Sequence, residues 1–147
     1  MKVLFILVLL IVALVFQVGK SPIDFWSDNI EKVTRDNNAW RKTLFTGRNL
    51  QVVVMNVPPG QSLGWESHSD NEQFFRVESG TGEIEVAGSK PKKVPVYDGM
   101  VAVIPTGLRH NVTNTGDTSL QFYTIYGPPH HPPGTLDLTH NDELERH

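Results

Sequence analysis

From Trp40 onward the chain is a series of short runs, apolar or alternating apolar and polar, each cut off by glycine or proline. WRKTLF runs into Thr46-Gly47, LQVVVMNV into Pro58-Pro59-Gly60, and QFFRVES into Gly80. GEIEVAG fills residues 82–88, KVPVYD ends before Gly99, and MVAVIP ends before Thr106-Gly107. RHNVTN precedes Gly116, and SLQFYTIY precedes Gly127-Pro128-Pro129. Runs of this length, rich in β-branched and aromatic residues and bounded by turn residues, predict strands. No helical period is sustained anywhere in this region, so the pattern predicts an all-β sandwich or barrel. Gly60, Gly80, Gly99 and Gly107 fall where turns call for a positive φ or a close backbone approach.

The flanks read differently. Residues 21–39 are mixed and polar, with IEKVTRDNNAW forming a short helical turn or a linker. Residues 128–147, PPHHPPGTLDLTHNDELERH, hold too much proline for a central strand and predict an irregular arm over the barrel. That leaves 40–127 as the barrel. Residues 2–16, KVLFILVLLIVALVF, are apolar after Lys2 and predict a hydrophobic helix within residues 1–20. The run is short for a spanning helix of about 20 residues. No small-x-small cleavage site follows it, which favours a single-pass N-terminal membrane anchor; secretion after signal cleavage is the alternative.

Composition narrows the chemistry. A length of 147 residues suits one domain. A net charge of −3 without a basic stripe to neutralise phosphates gives no sign of nucleic acid, and none is expected as a partner. The chain has no cysteine, which removes disulfides, thiolate zinc sites and cysteine nucleophiles together. Any metal must be held by imidazole, carboxylate or amide groups.

Two stretches carry such groups. The first runs from Gly60 through five residues to Glu66-x-His68, then four residues to Gln73 and six to Gly80. The second runs from Gly99 through five residues to Pro105-x-Gly107, then two residues to His110 and three to Asn114. Together they resemble the paired motifs of the cupin superfamily, in the right order and with the spacing intact. Two positions depart from the family pattern: Glu66 stands where histidine is usual, and Gln73 where glutamate is usual. The chain also resembles a subgroup of small single-domain cupins, some of them likened by name to mannose-6-phosphate isomerase. The shared features are NLQVVVMNVPPG, the Glu-x-His and Gln of the first motif, and a Y-x-PP-x-HP-x-GT tail at 126–135. The resemblance implies a jelly-roll β-barrel whose two motifs meet at a metal site.

Strand geometry fits that implication. Residues two apart share a face, so Glu66 points with His68 while Ser67 and Trp65 point away. Gln73 shares a face with Phe75 and Val77, and His110 with Val112 and Asn114. On neighbouring strands, Glu66, His68, Gln73 and His110 converge as metal ligands. Two imidazoles and a carboxylate hold a divalent transition metal and leave positions open, which suits Fe(II) or Mn(II), with Zn(II) or Ni(II) as further occupants. Gln73 adds a neutral oxygen, as a weak fourth ligand or as the holder of a metal-bound water. With one negative charge fewer than the usual cupin set, the site is expected to bind metal more weakly.

The expected function is a membrane-anchored small cupin that binds or transforms a small polar organic molecule. Oxygen-dependent (dioxygenase-type) chemistry and isomerisation are the reaction classes the resemblance implies, with Glu66 the candidate general base. The alternative is a metal-free, non-catalytic ligand-binding module, or a homodimer formed through an edge strand. An inward Glu66 without a metal must be protonated or paired. Phe75 and Tyr123 read as core in preference to pocket, Arg76 and Arg109 as surface, and Asn114 as a turn cap. His130 and His131 lie between prolines and so could be held over the barrel mouth as a lid, though packed or exposed rings are the ordinary expectation; His131 matches the tail histidine of the subgroup. His140 and His147 read as ordinary tail residues. The NVT sequon at Asn111 falls in a predicted strand, where glycosylation is not expected.

Overall fold

The computed structural model describes residues 25–144. The apolar run predicted as helix and anchor lies outside them, as does His147. Among the described residues no helix is long and apolar enough to cross a membrane.

All eight predicted runs are strands: β1 (Arg41–Thr46), β2 (Gln51–Val57), β3 (Glu72–Ser79), β4 (Thr81–Val86), β5 (Lys92–Tyr97), β6 (Val101–Ile104), β7 (His110–Asn114) and β8 (Leu120–Gly127). A ninth strand, β9 (Leu136–Asp137), and two short helices, α1 (Ile30–Arg35) and α2 (His140–Leu144), complete the described chain. The strands form a six-stranded sheet in the order β6-β3-β8-β2-β1-β9 and a three-stranded sheet in the order β5-β4-β7, antiparallel throughout. Val53, Met55, Phe75, Val77 and Phe122 of the larger sheet share one core with Ile84, Val96 and Val112 of the smaller. That shared core is the sandwich of a jelly roll. Each of these fully buried apolar side chains contributes about 1.5–3 kcal/mol by leaving water.

The register sorts the interior into layers. Gln73 pairs with Tyr126, and Tyr126 with Gln51. One step along, Phe75 pairs with Thr124 and Thr124 with Val53; two steps along, Val77 pairs with Phe122 and Phe122 with Met55. The interior of the larger sheet therefore passes from apolar to polar toward the Gln51-Tyr126-Gln73 layer. At the opposite end, Gly80 turns the chain with a φ of 82°, and a Cβ there would collide with the Ser119 carbonyl. Only glycine fits that turn.

The segment before β3 makes a further ladder. Asn114 N–H donates to Gln61 O at 2.9 Å, and Leu63 N–H to Val112 O at 2.9 Å. Glu66 and His110 exchange both backbone bonds at 2.9 Å. Residues 61–66 thus run along the side of β7 that β4 leaves free.

The stretch read as a short helical turn or a linker carries α1, capped by Asn29, whose side chain accepts from Lys32 N–H at 3.0 Å. Its end is pinned to the barrel, because Gln121 Nε2 donates to the carbonyls of Arg35 (2.8 Å) and Asn37 (3.0 Å). The arm is also more ordered than its prolines suggest. β9 pairs with β1 through Arg41 and Lys42. The buried Arg41 guanidinium meets Asp137 at 3.4 Å and Glu143 at 2.6 Å. Glu143 also accepts from Trp40 Nε1 at 2.7 Å, and the His140 ring stacks on Trp40 at 4.4 Å. His140 is therefore part of a buried clasp, which its sequence neighbourhood does not reveal.

Candidate metal centre

Because Glu66 and His110 exchange both backbone bonds, they stand directly opposite one another, with side chains on the same face. His68 lies two residues beyond Glu66 on that face. Its carbonyl accepts from Gly107 N–H at 2.7 Å, which ties the first motif to the turn before β7. The alternation is visible in burial: His68 is buried and Glu66 half-buried, while Trp65 and Ser67 are exposed. Trp65 faces out and carries the Arg109 guanidinium 5.1 Å above its ring.

Inside, Glu66 Oε1 lies 3.3 Å from His110 Nε2 and 3.8 Å from His68 Nε2. One ligand atom from each of the three residues lies within 4.8 Å of the others. Although His110 Nε2 is close to Glu66, it is not aligned for a hydrogen bond, and neither His68 Nε2 nor His110 Nε2 has a partner among the described residues. His110 Nδ1 sits 2.9 Å from Leu108 O. A carbonyl only accepts, so Nδ1 carries the proton and the neutral ring presents a free lone pair at Nε2. Gln73 enters from β3 in the opposite sheet. Its Nε2 donates to Tyr126 Oη at 3.1 Å, and its buried Oε1 has no hydrogen-bond partner.

The electrostatics are those of a ligand set. Burial opposes ionisation of Glu66, but the His110 ring, His68 and Arg41 outweigh it and hold the carboxyl below its ordinary value. Burial pushes His68 down against the pull of Glu66. Burial also opposes charging of His110, yet Glu66 and the Leu108 carbonyl raise it. Burial raises the Tyr126 hydroxyl, which stays protonated. A half-buried carboxylate that stays ionised beside two buried imidazole nitrogens with no hydrogen-bond partner is an arrangement that a cation completes.

The structure brings Glu66, His68 and His110 together and sets the Gln73 amide in the facing wall. Phe75 belongs to the core, 5.4 Å from Phe122, and half-buried Tyr123 lies beside Phe74 at 6.1 Å. Sequence reasoning did not single out Tyr126 or Asn71. Tyr126 was legible in principle, since it continues the inward series Phe122, Thr124, Tyr126. Of the two tail histidines, it is His130 that meets the site, its ring centroid 4.3 Å from that of His68.

The profile of the Cupin domain family matches residues 53–126, a span that contains Glu66, His68, Gln73 and His110. The chain belongs to the cupin family. This cupin is 42% identical over 119 residues to an uncharacterized Bacillus subtilis protein, covering 79% of this chain and 64% of that one, so it spans just under two thirds of that relative. It is similar to a crystal structure of a Bacillus halodurans protein, with 37% identity and a TM-score of 0.80 over 87% of this chain and 97% of that chain. It is also 32% identical over 71 residues to an oxalate-binding protein of Thermotoga maritima, covering 48% of this chain and 56% of that protein.

Proposed function

We propose that this cupin holds one divalent transition-metal ion on Glu66, His68 and His110, with Gln73 Oε1 as a neutral fourth oxygen. A small polar organic molecule would take the open side. The observation that carries this reading is the convergence of buried lone pairs on His68, His110 and Gln73 that no protein donor satisfies. Two imidazoles and a carboxylate suit Fe(II) or Mn(II), with Zn(II) and Ni(II) as further occupants.

The chain's own residues set the conditions. Glu66 stays ionised and offsets one of the ion's two charges. Leu108 O fixes the His110 tautomer, and Tyr126 Oη holds the Gln73 amide in place. A bound ion would supply a Lewis acid that polarises a ligand oxygen. With neutral imidazoles the loaded site carries one net positive charge, which suits a small anion. The Thermotoga relative's name supports a carboxylate. The tail at 126–135 supports placing the chain among small single-domain cupins, and the apolar run at 2–16 supports attachment to a membrane.

Elemental analysis of the full chain, purified without added metal, tests the reading. The expected content is about one equivalent of a first-row transition metal, lost in Glu66→Ala. Metal-free protein that also takes up none when titrated would end it.

A further inference from the structure

The tail brings a third imidazole to the mouth of the site, and the fold devotes two buried amides to holding it there. Gln51 is fully buried in the apolar run of β2, where an amide has no packing value. Its Oε1 accepts from the backbone N–H of His130 (3.3 Å) and of His131 (2.9 Å), and its Nε2 donates to His131 O at 2.8 Å. Gln51 thus grips the tail backbone at this dipeptide. Pro128, Pro129, Pro132 and Pro133 restrict the chain on both sides of it.

The His130 ring is fixed separately. Asn71, 2% exposed, places its Nδ2 3.0 Å from His130 Nδ1 and 3.1 Å from Asp70 Oδ1. The Asp70 carboxylate can only accept, which sets the Asn71 amide with its NH₂ toward both partners. His130 Nδ1 therefore accepts, and Nε2 carries the ring proton. That N–H has no hydrogen-bond partner among the described residues. The ring stands edge-on to His68 at 4.3 Å and lies against Tyr126 at 5.2 Å, yet the residue remains exposed. An exposed side chain held by buried groups, beside a metal ligand and with a free donor, is placed for something that arrives from solvent.

We infer that His130 is a ligand-positioning residue, whose Nε2–H donates a hydrogen bond to a carboxylate oxygen of a small anion lying on the open side of the metal centre. The inference rests on the metal-site reading above. It assigns His130 to the incoming molecule and not to the ion, because the ion's three ligands are already grouped without it. The tail thereby sets which molecules are held, while the two motifs set which ion is held.

Calorimetric titration of the full chain separates the two readings. Mn(II) is titrated first, and oxalate is then titrated into the Mn(II)-loaded protein. His130→Ala is expected to keep its Mn(II) affinity within about twofold and to bind oxalate roughly tenfold more weakly or worse, the loss typical of a hydrogen bond to a charged group. His130→Gln, which keeps an N–H at similar reach, is expected to recover most of that loss; a merely structural tail residue would give no such rescue. Oxalate affinity unchanged in His130→Ala overturns the inference, as does a loaded wild type that binds no oxalate. A matching loss of Mn(II) affinity in His130→Ala also overturns it, by making His130 part of the ion's own site. Failure of the wild type to bind Mn(II) at all removes the metal-site reading itself and is seen in the first titration.

Discussion

Strand β7 ends in two buried polar side chains, and the fold treats them in opposite ways. Asn114 and His110 are each 1% exposed. Asn114 is saturated: its Nδ2 donates to Val57 O and Thr118 O, both at 2.8 Å, and its Oδ1 accepts from Gly116 N–H at 2.9 Å. His110 has one nitrogen satisfied by Leu108 O and the other left without a partner beside Glu66. Equal burial with unequal satisfaction separates structure from function. The Asn114 end closes a turn between β7 and β8. The His110 end leaves lone pairs that the folded chain alone does not use.

The comparison predicts that damage at one end will not look like damage at the other. His110→Ala is expected to weaken metal binding by more than about 100-fold, beyond what loss of a supporting outer partner usually costs. Thermal unfolding of the metal-free variant should move little by comparison. Metal titration and calorimetric unfolding on the same sample check both halves. Asn114→Ala is expected to cost about 1–3 kcal/mol, because the buried Val57 carbonyl loses its partner and the bonds to Thr118 O and Gly116 N–H go with it. Its midpoint should fall by about 5–10 °C, while the metal affinity of the protein that remains folded stays near wild type.

Acid should act at the His110 end alone. Glu66 raises His110 above its ordinary value of 6.5, so protons begin to compete with the ion above that pH. Metal affinity is then expected to fall about tenfold per pH unit for each proton displaced. In the metal-free protein His68 has the opposite sign. Its proton is held more weakly in the folded state, so the unfolded chain takes it up first and this residue's contribution to stability falls as the pH drops below 6.5. Metal titrations and unfolding curves between about pH 5 and 8 resolve the two. The smallest expected effect is Gln73→Glu. It adds the missing negative charge beside the Tyr126 hydroxyl, which can donate to it, and should tighten divalent-metal binding by about tenfold or less, as a competition assay would show.

The contrast between the ends also explains what the sequence revealed. Eight strands were legible because glycine and proline mark every turn and the inward positions alternate. β9 was hidden, being two residues long and lying just past Pro132-Pro133. α1 was legible only as one of two alternatives, a short helical turn or a linker, because six residues barely define a helical face. The period of a strand set Glu66 and His68 on one face, while bringing His110 to them was what the resemblance to the paired cupin motifs implied. Tyr126 was foreshadowed by the inward alternation of β8, but Asn71 and His130 join the site through the path of the tail, which no local pattern encodes. Gln51 left a trace, a lone amide heading an otherwise apolar run, but its partners lie about eighty residues away in the chain.

The most direct test of the central claim is pulsed electron paramagnetic resonance on protein loaded with one equivalent of Mn(II). Nitrogen couplings from two imidazoles are expected in the wild type, and from one in His110→Ala reloaded at high Mn(II). A spectrum without histidine nitrogen, or one unchanged by the substitution, would contradict it.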